Sequence, residues 1–361
     1  MRVRWVIEGE AGVAQEQVLR WFGDGLRHQL AQELGEGPAT QVVWNLFRSD
    51  EPRTYRRRAQ STFVVGVTSG PEPEDAGDVL RATYPLLVRT LANLLIYVVD
   101  DGERPRRTYF VTLERGHYAL DGAGPDYFER VLERVEPLAG SHLVIDNLFL
   151  TDLPAEWADG NPRTEQITAA GRRLAELDLL PAPFPIADLL PPRDFAHLKR
   201  MFQMGGLSYG NLSVREPGEG FWMSASGVDK TRLRRVGEEI LLVRTYDAEN
   251  NRMVVSVPPN VQPKRVSVDA IEHWMIYEGF PQVGAILHVH AWMDGIPSTE
   301  INFPCGTREL AEAVRVQVAT TPDPGHAVVG LKNHGLTITG PDLDEIFDRV
   351  TPRLLRQVPM Q

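Results

Sequence analysis

The sequence predicts a mixed α/β protein of two domains, on three observations. The chain has 361 residues, more than one ordinary domain needs and enough for two buried cores. Short strand-like and longer helix-like apolar patterns alternate through its first part. Pro154, Gly160, Asn161 and Pro162 crowd together between 153 and 163, the composition of a boundary. The expected division is a two-layer α+β domain over 1–155, a connector with a helix over 156–195, and a second domain over 196–361.

Taken in order, residues 3–7 read as a strand, and 13–34 as a helix through Val18, Leu19, Phe22, Leu26 and Leu30. Strands follow at 41–47 and 61–68, separated by the charged turn Ser49-Asp50-Glu51-Pro52. A helix is expected over 78–95, after the loop 70–77. Strands at 109–113 and 142–148 then flank a helix near 127–135. This part shows no readable chemistry. Arg56-Arg57-Arg58 reads as a solvated edge, Asp100-Asp101-Gly102 as a turn, and His28, His117 and His142 as isolated structural histidines. A helix is expected over 164–177. The stretch 180–192 holds Pro181, Pro183, Pro185, Pro191 and Pro192 and reads as an extended connector.

Composition narrows the function. The formal net charge of -11 disfavours binding to a phosphate backbone, so no nucleic-acid partner is expected. The single cysteine, Cys305, excludes an intrachain disulfide and any multi-cysteine metal site. Only four of the 38 basic residues are lysines (Lys199, Lys230, Lys264 and Lys332), so a Schiff-base enzyme would have four candidate amines. Arg2, Arg4, Glu8 and Glu10 leave no apolar leader region, and the apolar run 94–99 is far too short to span a bilayer. A cytoplasmic protein without a membrane partner is the expectation.

Chemistry concentrates after Gly210. The run Val283-Gly284-Ala285-Ile286-Leu287-His288-Val289-His290 has strand length and ends in two histidines at i and i+2. Strand side chains alternate faces, so both imidazoles project the same way, about 7 Å apart along the strand. They either satisfy local hydrogen bonds or converge on one ion. His334 ends a second apolar run, 327–331, at the turn Lys332-Asn333-His334-Gly335. There the glycine permits a tight backbone pointing back at a neighbouring strand end. Three neutral imidazoles with an open fourth position describe a catalytic zinc site.

On the helix between these elements, Ser267 reads as the N-cap, and Asp269, His273 and Tyr277 share one face at i, i+4 and i+8. Asp269 is either a reacting acid or one favoured by the helix dipole. Glu272 and Tyr277 read as structural. Upstream, Gly210-Asn211-Leu212-Ser213-Val214-Arg215 and Ser224-Ala225-Ser226-Gly227-Val228-Asp229-Lys230 are turns whose N–H and hydroxyl groups can cradle an anion.

In their order, these segments resemble the class II aldolase/adducin family. The matching pieces are Gly210–Arg215, Ser226–Lys230, the acid four residues before His273, His288-Val289-His290, Gly306-Thr307-Arg308-Glu309-Leu310 and Asn333-His334-Gly335. The resemblance covers about 163–361 and implies a three-layer α/β/α fold assembled as a homo-oligomer. It also implies zinc, or another divalent transition metal, on His288, His290 and His334, stabilising an enediolate formed from a hydroxycarbonyl substrate. A phosphate would sit on Asn211, Ser226, Gly227 and Ser267.

Three departures limit that carry-over. Asp269 stands where family aldolases have a glutamate base, as in the epimerase branch, where the aspartate helps bind zinc. Val268 replaces the second serine of a phosphate-binding pair. Only 15 residues lie between His290 and Gly306, and no tyrosine follows Tyr277, so the usual pocket segment and its acid are missing. The expected function is a metal-dependent lyase or isomerase acting on a small hydroxycarbonyl compound or sugar phosphate, with Asp269 as base or as a fourth ligand of the metal. The alternative is a non-catalytic, adducin-like binding or scaffold protein with a vestigial or repurposed metal site.

Overall fold

The structure is a computed structural model that describes residues 3–30, 40–56, 62–100, 107–112, 116–177, 179, 190–196 and 210–360. Arg57, Arg58, Asp101, Gly102 and most of the expected connector over 180–192 lie outside the described residues. The chain divides into two compact units: Met1–Gly140 with Phe184–Phe202 and Met360–Gln361, and Ser141–Pro183 with Gln203–Pro359.

The first unit is built on a six-stranded sheet in sequence order: β1 (Val3–Glu8), β2 (Thr40–Leu46), β3 (Phe63–Gly70), β4 (Leu94–Val99), β5 (Arg107–Thr112) and β6 (Gly116–Asp121). The first four strands are parallel, and β5 and β6 add an antiparallel edge. Helices α1 (Gln17–Leu30) and α3 (Tyr127–Gly140) bury Phe22, Leu26, Val131 and Val135 against Val42, Trp44, Val65 and Ile96. Helix α2 (Ala76–Thr90) packs on β4 and β5, and its Tyr84 hydroxyl donates to the Thr112 carbonyl at 3.1 Å. Its residues take no part in the α1–α3 cluster, so this unit has helices on both faces where the sequence reading had two layers.

The expected helix 78–95 runs two patterns together. Helix α2 ends at Thr90, Leu91 turns left-handed at φ 58°, and Leu94–Val99 is a strand buried at every position. A strand covered on both faces is a continuous apolar run, which carries no period to separate it from a helix.

In the second unit, β7 (Asp146–Leu150), β8 (Asn211–Glu216), β9 (Gly220–Ser224), β10 (Ile240–Asp247), β11 (Arg252–Ser256), β12 (Ala285–Val289), β13 (Val328–Leu331) and β14 (Gly335–Gly340) form one sheet. Its order is β13-β14-β12-β8-β9-β10-β11-β7. Helices α4 (Pro162–Glu176) and α7 (Leu343–Val350) lie on one face. Helices α5 (Ala270–Gly279) and α6 (Arg308–Thr320) pack together on the other, giving three layers.

The expected boundary at 155 moves upstream. Strand β7 pairs in parallel with β11, and the Val144 N–H donates to the Gly306 carbonyl at 2.7 Å, so 141–155 belongs to the second unit. Helix α4 is a layer of that unit rather than part of a connector. Its start is set by Asn161, whose side chain accepts from the Arg163 and Thr164 amides at 2.9 and 3.0 Å, with Pro162 in the first turn. Among the described residues no helix is long and apolar enough to cross a membrane.

Candidate metal centre

Antiparallel register assembles one side of the site. His288 on β12 stands opposite Asn211 of β8 on one flank and Thr337 of β14 on the other, so the three share a face of the sheet. His290 follows one residue after the strand ends. His334 comes from the β13–β14 turn, where Asn333 has φ 56° and the His334 amide donates to the Leu331 carbonyl at 2.9 Å. A Cβ on Gly335 would stand 2.3 Å from the Val289 carbonyl oxygen, so only glycine lets this turn close onto the end of β12.

The three rings converge. Their centroids lie 5.2 Å apart (His288–His290), 5.0 Å (His288–His334) and 4.7 Å (His290–His334). One nitrogen from each lies within 4.8 Å of the others, and the Nε2 atoms of His288 and His334 are 3.1 Å apart. Two imidazole nitrogens on one tetrahedral zinc, each about 2.0–2.1 Å from the ion, stand about 3.3 Å apart. The spacing therefore fits a shared cation with little movement. The Leu336 carbonyl oxygen, 3.0 Å from His288 Nδ1, can only accept, so Nδ1 carries the proton and Nε2 presents a lone pair to the site.

Helix α5 brings the acids. Asp269, not Ser267, occupies the N-cap position, and its carboxylate does not cap the helix. It accepts instead from Asn211 Nδ2 at 2.6 Å, a charge-assisted bond that outcompetes the backbone amides and aims it along the row holding His288. The expected shared face of Asp269, His273 and Tyr277 is realised: Ser213 Oγ lies 2.7 Å from His273 Nδ1 and 2.8 Å from the Tyr277 hydroxyl. Burial, with His288 nearby, holds His273 well below the ordinary histidine range and therefore neutral. Burial pushes the Tyr277 phenol up, leaving it a core hydroxyl.

Two buried groups beside Asp269 gain significance in three dimensions. Glu272 is 2% exposed and accepts from the Thr337 hydroxyl, and its Oε2 has no partner among the described residues. Burial, reinforced by the Asp269 charge, pushes its carboxyl up to about 8. Burial lowers Lys230 to about 8, against the opposing pull of Asp269 and Asp229. The Ser226–Lys230 motif carries the sequence signal for Lys230, whose burial beside Asp269 only the fold creates. Cys305 Sγ lies 3.0 Å from His334 Nε2.

The expected phosphate residues fall into two groups. Asn211 spends its amide on Asp269, and its Oδ1 has no partner among the described residues. Ser226 and Gly227 form an exposed turn, Gly227 with φ 67°. The Ala225–Val266 bridge and the Ser226 amide donating to the Arg265 carbonyl at 2.9 Å set that turn alongside Ser267. The exposed Ser226 side chain can receive an anion there, whereas Ser267 is buried.

Residues 194–299 match the family described as Class II Aldolase and Adducin N-terminal domain. A methylthioribulose-1-phosphate dehydratase of Leptospira interrogans serogroup Icterohaemorrhagiae serovar copenhageni (strain Fiocruz L1-130) is 32% identical over 109 residues. That stretch is 28% of this chain and spans 40% of the relative's length. Among solved structures, an L-fuculose 1-phosphate aldolase aligns over 53% of this chain and 81% of its own, with 18% identity and a TM-score of 0.36. The L-fuculose-1-phosphate aldolase of Thermus thermophilus aligns over 52% and 88%, with 20% identity and a TM-score of 0.32. Residues 194–299 are thus similar to the class II aldolase/adducin family.

Proposed function

We propose that this protein is a metal-dependent lyase or isomerase acting on a small hydroxycarbonyl compound, with a phosphorylated sugar as the favoured substrate class. The observation that carries the reading is the convergence of His288, His290 and His334 beside an Asp269 carboxylate held by Asn211. When bound, a divalent cation, zinc or another transition metal, supplies Lewis-acid polarisation of a substrate oxygen. His288 is oriented for this by the Leu336 carbonyl.

Asp269 takes a proton from the carbon next to the substrate carbonyl. It is fit for that as a buried acid held in place by the Asn211 amide. Lys230 offsets its negative charge from within the same buried cluster. The turn of Ser226 and Gly227, alongside Ser267, receives the phosphate through its amides and hydroxyl. On the same reading the protein works as a cytoplasmic homo-oligomer and needs neither nucleic acid nor membrane.

The test is metal analysis of protein purified without a histidine tag, followed by proton exchange from hydroxyketone phosphates. Wild type is expected to hold a stoichiometric transition metal that His288→Ala loses. Asp269→Asn is expected to keep the metal and lose exchange. No metal in wild type removes the enzyme reading and leaves the adducin-like scaffold. Equal exchange in wild type and Asp269→Asn removes Asp269 from the chemistry.

A further inference from the structure

We propose that Arg265 is the cation of the anion-receiving turn, gripping a phosphate group together with the Ser226 hydroxyl and the Gly227 amide. This rests on the phosphate part of the reading above and deepens it, by naming the residue that supplies the charge.

The need for a cation comes from what the turn lacks. Ser267 is 9% exposed, and Val268 has no hydroxyl, which leaves Ser226 to offer the exposed one. A neutral hydroxyl or amide in water holds an anion weakly, because each bond made replaces one to solvent. The net charge of -11 adds a general repulsion.

Register puts Arg265 where that charge is wanted. Ala225 pairs antiparallel with Val266, and the Ser226 amide donates to the Arg265 carbonyl at 2.9 Å. Ser226 and Arg265 are therefore the next residues across that pair. Ala225 and Val266, 1% and 3% exposed, fill the core side. Ser226 and Arg265 face the other way, and both are exposed. Side chains directly opposite each other start about 4.5–5.5 Å apart, so a hydroxyl and a guanidinium can close on one phosphate from two sides.

The surroundings leave both the guanidinium and the space over the turn free for a ligand. Arg265 makes no ion pair or side-chain hydrogen bond among the described residues. Asp229, an acid of the same segment, is already engaged: it accepts from the Thr231 amide at 3.0 Å and hydroxyl at 2.7 Å, and lies 3.7 Å from Arg232. Gly227 has φ 67°, and a Cβ there would meet nothing within 4 Å. Arg265 also lies four residues before Asp269, a backbone span of at most about 14 Å. The two can thus engage opposite ends of one small substrate.

Calorimetric titration of the full-length protein with inorganic phosphate tests this without an assay of activity, in metal-loaded protein and after chelation. Wild type is expected to bind phosphate equally in both states. Arg265→Ala is expected to weaken binding about 10–100-fold, the range of one charged hydrogen-bonded contact. Arg265→Lys should recover part of the loss, as a point charge without the planar fork. Lys264→Ala, which removes the same charge one residue away, should leave binding nearly unchanged. No phosphate binding in wild type, or the same affinity in Arg265→Ala, overturns the assignment. An equal loss in Lys264→Ala reduces the effect to general charge attraction and also overturns it. Loss of binding on chelation puts the anion on the metal and overturns the turn as its site. Phosphate binding as expected, in a wild type without stoichiometric metal, overturns the enzyme reading and leaves Arg265 standing, so the two failures are distinguishable.

Discussion

Replacing Glu272 by glutamine removes a carboxyl that the fold keeps protonated, and the structure sets the sign and size of the effect. The side chain is 2% exposed, accepts from Thr337 and stands near Asp269. These surroundings raise it from 4.5 to about 8. In the unfolded chain at pH 7 it is ionised, so folding must return a proton to it. At ~1.4 kcal/mol per pH unit, that costs about 3 kcal/mol. Glutamine has nearly the same shape, can accept the same Thr337 bond and needs no proton.

The pH dependence follows by linkage. Below about pH 4.5 both states of wild type hold the proton, so the two proteins differ little. Between about 4.5 and 8 only the folded state holds it, so wild-type stability falls as pH rises, and above about 8 the difference levels off. For a unit of about 200 residues, 1 kcal/mol shifts Tm by roughly 2–4 °C. Glu272→Gln should therefore melt roughly 6–12 °C above wild type at pH 7, and close to it near pH 4.5. The assay is thermal or urea denaturation of metal-stripped wild type and variant across that range. A difference independent of pH, or one that shrinks as pH rises, would refute the reasoning.

Two further substitutions probe the frame that holds the site. Arg215 donates to the Val283, Tyr277 and Phe280 carbonyls and lies over the Tyr277 ring at 4.6 Å, tying the end of α5 to β8. Arg215→Ala should cost about 2–4 kcal/mol in urea denaturation, since buried carbonyls lose a charged donor. Less than 1 kcal/mol would mean water replaces the guanidinium freely. Asn161→Ala removes the α4 cap and the bond from Asn161 Nδ2 to Glu216 at 2.7 Å, and should cost about 1–2 kcal/mol. An unchanged denaturation midpoint would show that α4 owes its start to packing alone.

Much of the site was legible because local rules reach it. Strand alternation alone puts His288 and His290 on one face, and the Asn333-His334-Gly335 turn announces a backbone that must approach another strand. Helical spacing places Asp269, His273 and Tyr277 on one face of α5, where Ser213 bonds the latter two. Local rules failed where two patterns coincide. Leu94–Val99 is a strand that reads like the end of a helix, and β6 (GHYALD) alternates buried and exposed residues over too short a run to stand out. They failed also at Ser267, because the competition for the Asp269 carboxylate is settled by Asn211, 58 residues away in the sequence.

The sequence by itself determined the element types outside 94–99 and 116–121, the three histidines and the order of motifs, since these depend on residues a few positions apart. Only the tertiary structure decided that β7 crosses into the second sheet, that Glu272 and Lys230 are buried beside Asp269, and that the Cys305 sulfur lies against His334. The physical reason is that desolvation and ligand proximity are set by which distant segments share a sheet edge or a turn. No spacing along the chain encodes a burial that strands from three parts of the sequence create together.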